Sequence, residues 1–282
     1  FEKNDIKDLT KITNIFIPKI INKQLKKIFA KGNLEGEFII PFESDGSINE
    51  NYTFYGRIIE ADINITKDYK IKNLTAEIGY GENSFTDVDD LRIIINKGSF
   101  LNLELTKSQI DIKFKDNKKF VQSSIHTKGN INFYEIQKIT SLLGVKKNNF
   151  EDINLTSDLI TNIEFNIDNK FKVGNMSYIV QGDISKLQIK VAERKEIKEF
   201  MPSFSSEITF KNTKINFKAL NGISGDHSLK LKGEVKFGDE FEKAEIIQLY
   251  NKKNKKYSIS GTSTLFGSSI SISKLNYKKK KN

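Results

Sequence analysis

Any chemistry this chain performs has to come from a short roster of residues. Cysteine is absent and histidine occurs twice, so there is no thiolate nucleophile, no disulfide and no thiolate metal site. His126 and His227 stand far apart, each at a strand flank or turn. A zinc site needs several converging ligands, and lone histidines in such places read as surface residues. Asp226-His227-Ser228 has the letters of a hydrolytic triad. A relay needs one base bonded to both partners, which neighbours in a strand or turn cannot provide, so the letters read as chance. Asp87, Asp89 and Asp90 resemble part of a calcium loop, but the central glycine and terminal glutamate are missing. Gly79-Tyr80-Gly81 ends a strand and opens no helix, so it fails as a phosphate loop. Triplets such as Asn64-Ile65-Thr66 arise by accident in so asparagine-rich a chain. These residues point away from an enzyme and imply neither metal nor cofactor.

The elements behind them are mostly strands. Leu74, Ala76, Ile78 and Tyr80 alternate with Thr75, Glu77 and Gly79, and Leu91, Ile93 and Ile95 alternate with Arg92, Ile94 and Asn96. Leu101, Leu103 and Leu105 enclose Asn102 and Glu104, and Ile110, Ile112 and Phe114 enclose Asp111 and Lys113. Successive side chains of a strand point to opposite faces, so each run has one apolar and one wet face. Asn96-Lys97-Gly98-Ser99 and Lys115-Asp116-Asn117-Lys118 carry the residues of tight reversals, which predicts an antiparallel meander. The same rhythm returns in Ile163, Phe165, Ile167; Leu187, Ile189, Val191; Ile215, Phe217, Ala219; and Leu229, Leu231, Val235, Phe237. It ends with Tyr257, Ile259, Gly261 and then Ile270, Ile272.

Three short helices interrupt the pattern. Ile20, Ile21, Leu25, Ile28 and Phe29 recur at helical spacing behind Pro18, with Gly32 as the stop. Ile136, Ile139, Leu142 and Leu143 follow Asn132, whose side chain suits an N-cap, and end at Gly144. A third helix is predicted near 193–201, stopped by Pro202. The organisation is therefore an amphipathic helical lead-in over 1–32, a β segment over 33–131, a helix and linker over 132–149, and a second β segment over 150–282. Roughly fifteen strands are expected.

Composition agrees. The 282 residues are 37% hydrophobic and 29% charged, with 21 Phe, no Trp and only 3 Pro to break strands. Net charge is +10, but the lysines are spread mostly over outward strand positions and turns, with a run from Lys278 to Lys281 at the end, which reads as a solvated polar face rather than a nucleic-acid interface. Nothing near Phe1 reads as a signal peptide or membrane span. The chain is expected to be a segment of a longer protein whose targeting element lies outside it.

The apolar face then sets the problem. Each side chain on it gains about 1.5–3 kcal/mol on leaving water. Three short helices cannot cover some fifteen strands, so the sheet must pack on another as a sandwich or curl upon itself. A long, twisted, curled antiparallel sheet would form an apolar groove suited to acyl chains, which need no hydrogen bonds.

Residues 9–145 carry a family resemblance. An amphipathic helix runs into Lys31-Gly32-Asn33-Leu34-Glu35-Gly36, followed by Phe54-Tyr55-Gly56-Arg57-Ile58-Ile59-Glu60-Ala61. Then come IKNLTAEIGY, LRIIINKGSFLNLELTKSQIDIKF and, after Gly129, the helix FYEIQKITSLLG. This order resembles the YhdP-like members of the AsmA superfamily, bacterial envelope proteins related to TamB. The resemblance implies a β-groove protein anchored in the inner membrane of a Gram-negative bacterium and spanning the periplasm. It also implies phospholipid transport along an apolar channel, with no catalytic residue to carry over.

The leading expectation is a lipid-conducting groove lined by Leu74, Ala76, Ile78, Leu91, Ile93, Ile95, Leu101, Leu103, Leu105, Ile110, Ile112 and Phe114. Its second segment is lined by Ile163, Phe165, Ile167, Leu187, Ile189, Ile215, Phe217, Leu229 and Leu231. On that reading an Asp at Ile95 or Leu103 stops transport and spares the fold, because a groove wall is not a packed core, whereas global unfolding indicates a sandwich. The alternative is a scaffold or assembly factor pairing its free strand edges with outer-membrane protein strands by β-augmentation. A plain β-sandwich adhesin is a third reading.

Overall fold

A computed structural model of the chain describes residues 2–8, 29–47, 53–66, 68–81, 90–115, 118–142, 150–168, 172–192, 195–222, 225–266, 269–272 and 277–280. The fold is mainly β. In chain order the strands are β1 (Asn4–Asp5), β2 (Phe29–Ile39), β3 (Thr53–Asn64), β4 (Lys70–Tyr80), β5 (Asp90–Phe100), β6 (Leu103–Lys115), β7 (Lys118–Asn132) and β8 (Phe150–Ile167). They continue as β9 (Val173–Val191), β10 (Glu207–Ala219), β11 (His227–Lys236), β12 (Glu242–Asn251), β13 (Lys256–Ser263), β14 (Ile270–Ile272) and β15 (Tyr277–Lys279). Strands β1 to β13 follow the chain in strict order across one antiparallel sheet that is not closed into a barrel. Strands β14 and β15 pair with each other in a separate two-stranded sheet. Two helices are α1 (Phe133–Leu142) and α2 (Lys195–Phe200), and residues 6–8 add one helical turn. No described helix is long and apolar enough to cross a membrane.

The chain divides into two compact units, Phe1–Thr127 with Thr161–Met176, and Lys128–Ile160 with Ser177–Asn282. In the first, cross-strand partners place the apolar residues of β3 to β6 on one face: Ile58 faces Ala76, Ala76 faces Ile95, Ile78 faces Ile93, and Ile93 faces Ile110. Each of these strands makes one three-residue step between inward positions: Ile58 to Ala61, Ile71 to Leu74, Ile95 to Gly98, and Leu105 to Ser108. Left-handed residues Glu60 (φ 48), Asn73 (φ 50) and Lys107 (φ 45) sit in three of the steps. Such β-bulges bend a strand and sharpen its right-handed twist. A band of them at one level curls the sheet toward its apolar face.

The bulges also explain where glycine and buried hydroxyls stand. Gly32 (φ 129) lies against the β3 bulge, where an added Cβ would come 2.5 Å from the Ala61 Cβ. It is therefore part of strand β2 and not the stop of a helix. The predicted helix over residues 20–29 falls outside the described residues except at Phe29, which opens β2. Ser108, fully buried, accepts the His126 N–H at 2.8 Å and donates to the Thr106 carbonyl at 3.0 Å. It thus serves backbone groups that the bulge takes out of the ladder.

Two expected turns are corrected or refined. Asn96 to Ser99 is not a reversal but the bulged interior of β5. The reversal comes after Phe100, at Leu101 and Asn102, with Leu101 at φ 56. As a result, the runs around Leu103 and Ile112 are one thirteen-residue strand, β6, with its parity shifted at Lys107. The other reversal stands between the end of β6 at Lys115 and the start of β7 at Lys118; residues 116 and 117 lie outside the described set.

In the second unit the inner face of β10 and β11 pairs Phe210 with Val235, Ile215 with Leu231, and Phe217 with Leu229. Here too a bulge divides the strand, at Asn212 (φ 45), with buried Thr213 donating to the Lys211 carbonyl at 2.8 Å. Helix α1 begins as expected. The Asn132 side chain accepts the Glu135 N–H at 3.0 Å, and the Glu135 carboxylate accepts the Asn132 N–H at 2.9 Å. This reciprocal capping box satisfies two donors that the first turn leaves unpaired. Asn132→Ala is expected to cost about 1 kcal/mol, read as several-fold faster hydrogen exchange at the Glu135 amide. Gly144 and the 146–149 linker lie outside the described residues. Helix α2 falls inside the predicted 193–201 span.

Candidate functional site

The residues expected to line a groove separate by burial into two groups. In the first unit Leu74, Ala76, Ile95, Leu103 and Leu105 are buried, and all but Leu103 belong to one core cluster with Ile58, Ala61 and Ile6. Ile6, on the helical turn that follows β1, reaches this cluster because Asn4 and Asp5 pair with Leu34 and Asn33 of β2. Beyond the bulge band the face opens. Ile78, Leu91, Ile93, Ile110 and Ile112 are half-buried, and Phe114 is 40% exposed. Leu101 does not line the face as a strand residue, because it sits in the β5–β6 turn. Ile163, Phe165 and Ile167 alternate along the end of β8 and are half-buried.

Aromatic rings mark the open end of the first unit. Phe38 of β2 meets Phe54 of β3 edge-on at 6.4 Å, and Phe38 is 47% exposed. Tyr80 of β4 and Phe114 of β6 approach to 6.2 Å although β5 runs between them. Strands so separated stand roughly 9.5 Å apart in a flat sheet, so these rings lean together over a concave face. Sequence reasoning passed over Phe38 and Phe54. The signal was present in the alternation of Leu34, Gly36 and Phe38, but it was masked by the helical reading of the residues just before.

The outer face of this unit is ionic. Arg92 bonds Asp111 at 2.7 Å, the Tyr55 hydroxyl donates to Glu77 at 3.3 Å, and Lys113 lies 3.5 Å from Asp90. Burial and the Glu77 carboxylate push the Tyr55 phenol above its ordinary pKa. Two open hollows of 390 and 520 Å³ also have walls rich in charged side chains, such as Glu35 and Arg57 in one and Lys232 and Glu245 in the other.

In the second unit Leu187, Ile189, Ile215, Phe217, Leu229 and Leu231 are half-buried on the inner face around buried Ile184, Phe210, Thr213 and Val235. Tyr178, opposite Ala219 on that face, has its phenol pKa raised by burial and so stays uncharged.

The residues weighed for chemistry do not converge. His126, on β7, has its Nδ1 3.2 Å from the Thr106 hydroxyl. His227 stacks on Tyr250 at 4.8 Å, while Asp226 spends a carboxylate oxygen on the Lys252 N–H at 2.7 Å. Asp90 pairs with Lys113, and Asp87 and Asp89 lie outside the described residues. Among the described residues no group of three or more His, Asp or Glu could hold a metal ion.

Fold and surface together define a class: an open antiparallel β-sheet protein with an apolar inner face and an ionic outer one. No family model matches this chain, and no curated protein or solved structure is detectably similar to it.

Proposed function

We propose that this chain binds phospholipid acyl chains along the open part of its apolar face, as a segment of an envelope protein that moves lipid between membranes. The observation that carries the reading is the gradient within the first unit. The face is packed at the bulge band and runs outward through Ile78, Ile93, Ile110 and Ile112 to exposed Phe114 and Phe38. That surface offers shape and apolar contact without convergent polar groups, which suits a flexible hydrocarbon chain better than a defined small ligand. The thirteen strands of the main sheet pair in chain order without closing into a barrel, a connectivity that suits a groove. Resemblance to YhdP-like AsmA proteins adds the setting: the periplasm of a Gram-negative bacterium, with an inner-membrane anchor supplied by a segment outside this chain.

A second reading, β-augmentation with outer-membrane protein strands, is favoured by β13. It pairs with β12 on one side, has no described partner on the other, and lacks proline. One experiment separates the two. Photoreactive residues are placed at Ile93, Ile112 and Ile259, and the chain is irradiated with vesicles of phosphatidylethanolamine and phosphatidylglycerol and with unfolded outer-membrane protein. Lipid adducts at Ile93 and Ile112 are expected by mass spectrometry. No lipid at either site, with protein adducts at Ile259, would replace the lipid reading by the scaffold one.

A further inference from the structure

One end of the second unit combines features that neither a solvated turn nor a lipid groove calls for. The β12–β13 turn reads Asn251-Lys252-Lys253-Asn254-Lys255-Lys256, and every residue of it is exposed. It is a built turn. The Asn251 side chain accepts the Asn254 N–H at 3.0 Å, the Lys252 carbonyl accepts the Lys255 N–H at 3.3 Å, and Lys255 is left-handed at φ 49. The Lys252 N–H bond to Asp226 ties it to the neighbouring β10–β11 connection, where the Leu220 N–H donates to the Asp226 carbonyl at 2.9 Å. Four lysines thereby stand on one built turn, beside the Asp226 carboxylate.

Exposed apolar groups stand close to the lysines along the chain and on the adjoining connection. Leu220 is 59% exposed, Tyr257 60% and Ile259 73%. Behind them Tyr250 stacks between His227 at 4.8 Å and Tyr257 at 4.5 Å. We propose that this tip docks on an anionic lipid bilayer surface. The lysines face the headgroup phosphates, Leu220 and Ile259 enter the acyl boundary, and the tyrosines, on the same face as Ile259, sit at the interface where ring and hydroxyl are both accommodated. Exposed aliphatic side chains gain nothing against a nucleic-acid backbone. Tyr250 already stacks on its neighbours and is not free to stack on bases. The inference stands apart from acyl-chain binding at Ile93 and Ile112, which lie in the other unit.

The test uses the full chain and sedimentation with phosphatidylcholine vesicles carrying increasing phosphatidylglycerol. Binding is expected to rise with the anionic lipid and fall with salt. Replacing Lys252, Lys253, Lys255 and Lys256 by Gln is expected to weaken it at least about tenfold. The same replacement at Lys70, Lys72, Lys97 and Lys115, which alters net charge equally, should leave it within about twofold. Leu220→Ser and Ile259→Ser, with all lysines intact, should lower the fraction that stays bound in high salt. All these side chains except Leu220 and Ile259 are charged and exposed, and unchanged circular dichroism checks folding. Equal loss in the two lysine variants, or wild-type binding to an oligonucleotide but not to vesicles, overturns the proposal. Lipid cross-linking at Ile93 and Ile112 that persists in the tip variant shows the docking and acyl-chain sites to be separate.

Discussion

Ile95→Asp is expected to abolish folding, and Ile112→Asp to preserve the fold and abolish lipid binding. Ile95 is 5% exposed, lies between Ala76 and Ser108 on its two neighbouring strands, and belongs to the core cluster. The described residues packed in that cluster are apolar, so a carboxylate there finds no cation among them, and burying it costs about 4 kcal/mol or more. That approaches the whole stability of a domain at the lower end of the ordinary range of about 5–15 kcal/mol. Leu103, 8% exposed, falls in the same class. The simple expectation that Asp at Ile95 or Leu103 spares the fold therefore moves to the open end. At half-buried Ile112 a carboxylate stays hydrated in the free protein, but it meets hydrocarbon once an acyl chain lies on the face. Placing the charge in hydrocarbon costs about 3 kcal/mol, or about a hundredfold in affinity. Urea denaturation and lipid cross-linking from Ile93 read the two effects separately. An Ile112→Asp chain that keeps its lipid adducts would end the acyl-chain proposal. An Ile95→Asp chain as stable as wild type would show that the inner end is not a packed core.

The second large effect is at the glycines that a neighbouring strand's backbone crowds. Gly32→Val and Gly182→Val, one in each unit, are each expected to destabilise by roughly 3–5 kcal/mol, combining left-handed strain with overpacking. At Gly32 an added Cβ also comes 2.6 Å from the Ala61 Cα, so the neighbour that must yield is backbone. At Gly182 (φ 149) it collides with the Asp158 carbonyl and stands 2.9 Å from the Leu159 Cα. Gly46 (φ 84) has nothing within 4 Å of its would-be Cβ. Gly46→Ala therefore carries the φ penalty alone, about 1 kcal/mol. Urea midpoints should fall steeply for the first two and slightly for the third. Equal losses at all three would mean that the neighbouring strands do not approach Gly32 and Gly182 this closely.

The bulge band also explains what could be read in advance. Alternation is a local property, so Leu74-Ala76-Ile78 and Leu91-Ile93-Ile95 announce strands and an inner face from their own residues. The capping box at Asn132 and Glu135 is equally local, three residues apart on one turn. A bulge is different, because the extra residue is defined only against the neighbouring strand. Asn96-Lys97-Gly98-Ser99 has the residues of a turn because a bulge and a turn both favour small, polar and left-handed-tolerant side chains. Nothing within β5 tells them apart. The shift of parity from Leu105 to Ile110 held the clue: two inward runs out of phase imply an extra residue between them.

From its residues alone this chain is determined to be an alternating β protein with one apolar face, a capped helix after Asn132 and no obvious reactive constellation. Tertiary structure alone decides that the strands join in chain order in one open sheet, and that bulges bend β3 to β6 at one level. It also decides that the apolar face is packed around Ala76 and open around Ile112. The physical reason is that burial depends on what lies across from a side chain. Two isoleucines with the same pattern around them, Ile95 and Ile112, acquire different roles only when the neighbouring strands and Ile6 take their places.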